Sequence, residues 1–203
     1  TNPALVGFWE QVFIGAADTA VLHGGRSSSK TRDTACQLVR LVDHVGVRMR
    51  VLCIRRFQNR IQESVYTELK WAISHLGLTD AYDVQKTTII HKETGAEFIF
   101  YGIERNLEEI KGTSDIDILW VEEAEKLTED QWTVIAPTIR KEDSLAILLF
   151  NPKFVTDYVW RNFVLNTPPH TVVRKIDWTE NPFLSQKALR DIEAMRERDP
   201  ATF

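Results

Sequence analysis

A strand-length apolar run, Thr19-Ala20-Val21-Leu22, feeds without interruption into His23-Gly24-Gly25-Arg26-Ser27-Ser28-Ser29-Lys30-Thr31. From Lys30 to Asp43 the apolar residues Ala35, Leu38, Val39 and Val42 then return at helical spacing. Strand, small-residue loop and helix in this order hold a nucleotide's phosphates, because loop amides and the helix N-terminus direct N–H groups at an anion. Counted from Gly24, Ser29 stands where the usual pattern has a second glycine, so the loop works if Ser29 adopts the required backbone angles. Gly24, Gly25, Arg26, Ser27, Ser28, Ser29, Lys30 and Thr31 are the candidate phosphate-binding residues. Lys30 is placed to reach the β and γ phosphates of ATP, and the Thr31 hydroxyl to ligate Mg²⁺. Arg26, a cation at the loop's apex, is natural beside a triphosphate. Taken alone, the segment also fits a serine-rich turn that merely caps a helix.

The remaining pattern sets this loop in an α/β chain. Leu5, Phe8, Trp9, Val12 and Phe13 make one helical face. Arg50–Ile54 is an apolar run typical of a strand covered on both sides, and Ile61 to Leu76 traces a long amphipathic helix stopped by Gly77. Thr87–Ile90 and Glu97–Phe100, separated by Lys92-Glu93-Thr94-Gly95, read as a hairpin. Asp117–Val121, Leu145–Phe150 and Thr171–Ile176 are further strands. Thr128 and Gln131 have capping-box spacing for a helix running toward Arg140. Val155–Leu165 is expected to be helical, and Ser185 caps a last helix, Gln186–Arg198. Strands alternating with helices imply a mostly parallel central sheet with helices on both faces and an inserted β-hairpin.

With 203 residues, 43% of them hydrophobic, the chain is long enough for one substantial core, and residues 1–203 are expected to form a single domain. The end at Asp199-Pro200-Ala201-Thr202-Phe203, without a polar tail, suggests a piece of a longer protein. Two cysteines, Cys36 and Cys53, give no disulfide framework and sit in apolar surroundings. No apolar run approaches the roughly 20 residues needed to span a bilayer, so a soluble intracellular protein is expected. A net charge of −4 removes the global basic signature of a dedicated nucleic-acid binder, leaving only local patches for such contacts.

Two carboxylates follow the strand Asp117-Ile118-Leu119-Trp120-Val121 as Glu122-Glu123. In a parallel sheet they emerge at its carboxyl end, beside the phosphate loop. Adjacent carboxylates divide labour. Glu122, first out of the strand, is placed to hold Mg²⁺, and Glu123 to orient or deprotonate an attacking water. An acidic helix entry, Glu122-Glu123-Ala124-Glu125, would account for the same residues without chemistry.

Several segments together carry a resemblance. The runs Gly24–Thr31, Phe98-Ile99-Phe100-Tyr101-Gly102-Ile103, Ile118–Glu125, Pro137-Thr138-Ile139-Arg140, Phe150-Asn151-Pro152 and Thr179-Glu180-Asn181-Pro182 are similar to the ATPase domain of tailed-bacteriophage large terminase subunits. The likeness covers nearly the whole chain. It implies a P-loop NTPase of the ASCE/RecA-like type, a Mg²⁺-dependent ATPase that drives double-stranded DNA into a procapsid. Lys30 and Thr31 would be its Walker A residues, Glu122 its Walker B metal ligand and Glu123 its catalytic glutamate. Asn151 would sense the γ-phosphate and pass hydrolysis to motion. Ser29 for glycine and Glu122 for the commoner aspartate depart from the general P-loop pattern. The resemblance further implies a portal protein, a small terminase subunit, a homo-oligomeric ring on the portal, and a host-cytoplasmic location without membrane contact. The family's C-terminal nuclease domain is missing from these residues, so nuclease activity is not expected of this chain.

Other features are less specific. A cation on the developing γ-phosphate charge would come from Arg26 within the subunit, or from Lys111 or Arg140 across a subunit contact, although Arg140 also suits the end of its own helix. An adenine contact from the N-terminal aromatic segment with Gln11 competes with a core role for Phe8 and Trp9. Arg48, Arg50, Arg55, Arg56 and Arg60 form a basic cluster flanking one strand, either a solvated rim or a track for DNA phosphates. The histidines lack partner spacing and read as structural or solvent-facing. Two rival functions fit the same motifs: another ASCE translocating ATPase of helicase type, or a nucleotide-binding assembly module without hydrolysis.

Overall fold

The computed structural model describes residues 1–15, 17–56 and 62–198. Eight strands form one sheet: β1 (Thr19–His23), β2 (Arg50–Arg55), β3 (Tyr82–Val84), β4 (Thr88–His91), β5 (Glu97–Gly102), β6 (Ile118–Glu122), β7 (Leu145–Phe150) and β8 (Thr171–Lys175). Their order is β3-β4-β5-β2-β6-β7-β1-β8. Every pairing from β5 to β8 is parallel, and β3-β4-β5 is antiparallel. The expected hairpin is therefore β4-β5, continued by the short β3. Its second strand is also a full member of the parallel sheet, beside β2.

Alternation along the strands divides the core into two faces. Ala20, Leu22, Val51, Cys53 and Trp120 pack on one face with α1 (Val6–Ile14), α2 (Lys30–Val45) and α3 (Thr67–His75). Val21, Leu52, Ile54, Leu119 and Val121 face the other way, against α4 (Ile103–Lys111) and α5 (Glu129–Ile135). All six residues of β7 are buried, as expected of a central strand covered on both sides. Cys36 and Cys53 are buried free thiols. A last helix, α6 (Gln186–Arg198), carries no buried residue, and Ser185 caps it through the Ala188 N–H at 3.1 Å.

Several boundaries differ from the sequence expectation. α5 starts at its predicted capping box, both bonds of which form between Thr128 and Gln131, but ends at Ile135. Pro137 falls in a following 3-10 turn, Ala136–Thr138, because its ring cannot continue the α-helical ladder. The helix expected at 155–165 starts at Tyr158, with Tyr158 and Val159 α-helical and Trp160–Leu165 wound as a π-helix. α4 is not among the expected elements, although Ile103, Leu107 and Ile110 recur at helical spacing and pack on one core face. The helix expected from Ile61 is regular over α3 and preceded by a π-helical turn, Gln62–Tyr66; Ile61 lies outside the described residues.

Candidate nucleotide site at the carboxyl end of the sheet

β1 delivers the loop to the carboxyl edge of the sheet, between the ends of β7 and β8. The Gly24 N–H donates to Phe150 O at 3.2 Å, and the Ile176 N–H to His23 O at 2.8 Å. Gly24 has φ +142°, and a Cβ there would lie 1.9 Å from Ile176 O, so only glycine fits this crossing. Ser27 (φ 62°) and Ser29 (φ 68°) both occupy the left-handed region. Ser29 thus adopts the conformation that glycine usually supplies, at a cost of about 1–2 kcal/mol. Side chains brace the turn: Ser28 Oγ donates to Gly25 O at 2.9 Å, Asn181 Nδ2 to Ser27 O at 2.6 Å and Asn2 Nδ2 to Ser29 Oγ at 3.0 Å.

Asn2 ties three parts of the chain together. Its amide also donates to Glu180 O at 2.9 Å, and its backbone N–H to Asp33 Oδ1 at 2.6 Å. The second oxygen of Asp33 accepts from Trp9 Nε1 at 2.6 Å, and burial raises the Asp33 carboxyl above its ordinary value. Sequence reasoning missed this brace. An Asn-Pro pair before a helix reads only as a cap, which Asn2 also is, through the Ala4 N–H.

Lys30, 8% exposed, folds over the loop. Its Nζ lies within donating distance of Gly24 O (3.0 Å), Gly25 O (2.7 Å), Ser28 Oγ (2.9 Å) and Asn151 Oδ1 (2.9 Å). Burial lowers its pKa to about 8, against the upward pull of Glu122 and Glu125. All four partners are neutral, so an anion entering here would be the first full negative charge to meet the ammonium directly.

The acidic pair meets the loop. Thr31 Oγ1 donates to Glu122 Oε1 at 3.0 Å, while Glu122 Oε2 is sealed from solvent without a hydrogen-bond partner. Burial pushes the Glu122 carboxyl up to about 7, despite the Thr31 bond and the charges of Lys30 and Arg55. Glu123 turns out of β6 with φ 55°. Its carboxylate pairs with Arg55 at 2.5 Å and with Lys126. Burial raises its pKa, but the hydrogen bonds and charges of these two cations win and hold it at about 2. In this arrangement Glu123 can align a water but is a weak proton acceptor; deprotonation requires it to leave a cation. Glu125, on the next turn, has a buried Oε2 without a partner and a carboxyl raised by burial. It was not a sequence candidate, since only the 3-10 turn Ala124–Lys126 brings it back to the loop.

Arg26, Ser27–Thr31, Glu122, Glu123, Glu125 and Asn151 line one cavity of about 280 Å³. Asn151 reaches it because β7 lies between β1 and β6, so the residue after β7 emerges between the loop and the acidic pair. Other candidates lie elsewhere. α4 runs back to the start of β6, which places Lys111, paired with Glu108 at 2.9 Å, at the amino end of the sheet. Arg140 is there too: the adjoining Lys141 pairs with Asp117 at 2.7 Å, just before β6. Neither can reach this chain's own loop, and only the role across a subunit contact is open to them.

The arginine cluster is not one patch. Arg48 and Arg50 pair with Glu97 at the start of β2, whereas Arg55 and Arg56 pair with Glu123 and Glu104 at its end. The two groups are about 17 Å apart at ~3.3 Å per residue; Arg60 lies outside the described residues. Phe8 and Trp9 are 4% and 3% exposed in the core, which closes them to a base, and Gln11 is exposed on α1. His23 is structural, stacked on Phe150 and edge-on to Trp160, with its pKa lowered to about 4 by burial and by Lys175 and Lys30.

The sequence model of the family described as "Phage terminase large subunit" matches residues 16–203. The terminase large subunit of Bacillus phage SPP1 is 27% identical over 213 residues, covering 98% of this chain and 50% of that protein. The large terminase of a thermophilic bacteriophage superposes with a TM-score of 0.78 at 15% identity, over 95% of this chain and 49% of that one. That protein has also been solved in complex with ADP and with ATP-γ-S. The ATPase domain of the Thermus phage P74-26 large terminase superposes with a TM-score of 0.70 at 16% identity, over 91% of this chain and 83% of that domain. The chain spans about half the length of the full-length relatives it matches.

Proposed function

The chain belongs to the phage terminase large-subunit family, and we propose that it is that subunit's ATPase motor domain, hydrolysing ATP to drive double-stranded DNA into a procapsid. The observation that carries this reading is the shared cavity: Lys30 and Glu123 line the same space, with Thr31 bonded to Glu122 between them. On this reading residues 1–203 are one ATPase domain, working in the host cytoplasm as a ring on the portal protein with the small subunit, and nuclease activity lies outside it. Among the described residues no helix is long and apolar enough to cross a membrane, in keeping with that setting.

The chain's own groups divide the work. Amides of Arg26 to Thr31 and the start of α2 receive the β and γ phosphates, and Lys30 neutralises them. Arg26, exposed at the cavity's rim, would add a second cation to Lys30 on the γ-phosphate charge. Glu123 aligns the attacking water and takes its proton once a cation has been released. Asn151, bonded to Lys30, links the phosphate's position to the end of β7.

The residues fit Mg²⁺. Glu122 Oε2 is a buried acceptor without a partner, and the Thr31 hydroxyl bonded to Glu122 Oε1 completes an all-oxygen donor set that would suit such an ion. Among the described residues no three His, Cys, Asp or Glu side chains cluster to hold a metal by themselves. Thr31 and Glu122 would hold the ion, whose contribution when bound is charge stabilisation on the phosphoryl oxygens.

Phosphate release by the wild-type chain and Glu123→Gln, with ATP affinity measured alongside, tests the proposal. We expect about 10²–10⁴-fold slower release in the variant, with ATP affinity retained. The clamping of Glu123 by Arg55 and Lys126 favours the second reading, an assembly module without hydrolysis. Equal background rates with intact ATP binding would establish that one instead.

A further inference from the structure

Ser27 (φ 62°) and Ser29 (φ 68°) are held in the left-handed region without being glycines, and each is gripped from outside the loop by an asparagine. Asn181 Nδ2 donates to Ser27 O at 2.6 Å, across 154 positions of sequence, and Asn2 Nδ2 to Ser29 Oγ at 3.0 Å. Both asparagines stand before a proline, Pro182 and Pro3, which favours extended backbone in the residue that precedes it. They have it, with φ −97° and ψ 101° at Asn181 and φ −71° and ψ 122° at Asn2. The two grips are joined, because the Asn2 amide also donates to Glu180 O at 2.9 Å.

The run Thr179-Glu180-Asn181-Pro182 supplies no residue to the lining of the nucleotide cavity. What it does is hold Asn181 still. The 3-10 turn Trp178–Glu180 starts in a capping box between Asp177 and Glu180, and Arg174 on β8 pairs with Glu180. The Asn181 N–H donates to Trp178 O at 3.1 Å, and its Oδ1 accepts from the Phe183 N–H at 3.0 Å. With the side-chain oxygen fixed in this way, the amide's NH₂ group is directed onto Ser27 O.

Resting on the reading of Gly24–Thr31 as a triphosphate site, we propose that Asn181 is a positioning residue for the phosphates, aiming the Ser28 amide at them through the Ser27 carbonyl. A trans peptide is planar, so Ser27 O and the Ser28 N–H point in opposite directions. Asn181, outside the cavity, draws the carbonyl outward and leaves the N–H of Ser28, a lining residue, directed inward. Left-handed residues among right-handed ones turn successive amides to one side, the concavity that receives an anion. Without the grip, strained Ser27 is free to relax and the Ser28 amide to turn away. Acting from outside the cavity, Asn181 serves bound phosphates equally before and during the chemical step, a contribution that lowers KM and leaves kcat alone.

Isothermal titration of the whole chain with ATP and inorganic tripolyphosphate, beside phosphate release across ATP concentrations, tests this. Asn181→Ala should weaken both affinities by about five- to tenfold and raise KM to match, with kcat within about twofold. The bond is exposed, so the melting temperature without ligand should hardly change. Unchanged affinities would overturn the proposal, and so would a fall in kcat as large as the loss of affinity, the mark of a general disturbance of the loop. If the variant folds poorly by circular dichroism, the wild type supplies a second measurement: the Ser28 amide proton should move downfield by NMR as tripolyphosphate is added. A Ser28 resonance that stays in place while tripolyphosphate binds would equally overturn the proposal. Tripolyphosphate binding that survives Lys30→Ala would instead bring down the reading of the loop, and this inference with it.

Discussion

Lys30 Nζ and Asn151 Oδ1 are 2.9 Å apart, which joins the phosphate loop to the end of β7, the strand between loop and acidic pair. A charged lysine held by a neutral amide can exchange that partner for a phosphate oxygen. The amide is then free to follow, and β7 with it.

Asn151→Ala should therefore separate binding from turnover. Losing one bond to a charged group corresponds to about tenfold, and we expect it in kcat, with the KM for ATP within about threefold. Steady-state phosphate release across ATP concentrations measures both.

The left-handed backbone of Ser29 makes position 29 sensitive to side-chain shape. Ser29→Gly relieves the strain but loses the Asn2 bond, two effects of about 1 kcal/mol and opposite sign, so stability should change little and nucleotide binding survive. Ser29→Val places a β-branched residue at φ 68° and should abolish nucleotide binding. Thermal melts with and without ATP give both results.

Lys30 and Glu122, with pKa values displaced by burial, predict opposite pH slopes. Lys30, lowered to about 8, holds no proton between pH 8 and about 10.4 in the folded chain, whereas the unfolded chain does. Its contribution to stability therefore rises with pH across that window. Glu122, raised to about 7, holds a proton that the unfolded chain has lost above about pH 4.3, so its contribution falls as pH rises toward 7. Glu122→Gln should remove the second slope and raise the melting temperature at pH 8. ADP binding at pH 8.5 should take up part of a proton at Lys30, seen as a buffer-dependent heat that fades toward pH 7.

Arg55 and Glu123 form a pair of which each partner is mostly enclosed, with side-chain exposures of 13% and 24%. A double-mutant cycle of Arg55→Ala and Glu123→Gln on chemical denaturation should give a coupling of about 1 kcal/mol at pH 7. Glu123 is held low, so this term is present above its ordinary carboxylate value. It is lost as pH falls toward 2.

The parallel strands and the loop were readable because buried strands are continuous apolar runs and phosphate loops need small residues in sequence. β7 matched its expected bounds, Leu145–Phe150, as did α6. Local signals failed where tertiary context decides. The helix expected at 155–165 starts three residues late, at Tyr158, and winds as a π-helix over Trp160–Leu165, packed through Phe163 against Trp132 and Tyr158. In the site, Lys30, Thr31, Glu122, Glu123 and Asn151, each named from the sequence, line one cavity. The clamp on Glu123 needed Arg55, 68 positions away, and the loop's brace needed Asn2 and Asn181. Contacts between such distant residues leave no periodic trace. The arginines around β2 misled for the converse reason: neighbours in sequence, they flank a strand whose length sends them to opposite ends.

The central claim is that one cavity places a triphosphate between Lys30 and Glu123. A crystal structure of the chain with Mg²⁺ and a non-hydrolysable ATP analogue tests it most directly. We predict Lys30 Nζ off the Gly24 and Gly25 carbonyls and on the β and γ phosphates, the ion on Thr31 Oγ1 and Glu122, and Glu123 facing the γ-phosphate. A nucleotide bound away from Gly24–Thr31, or a γ-phosphate with Lys30 still folded onto its own loop, would contradict the account.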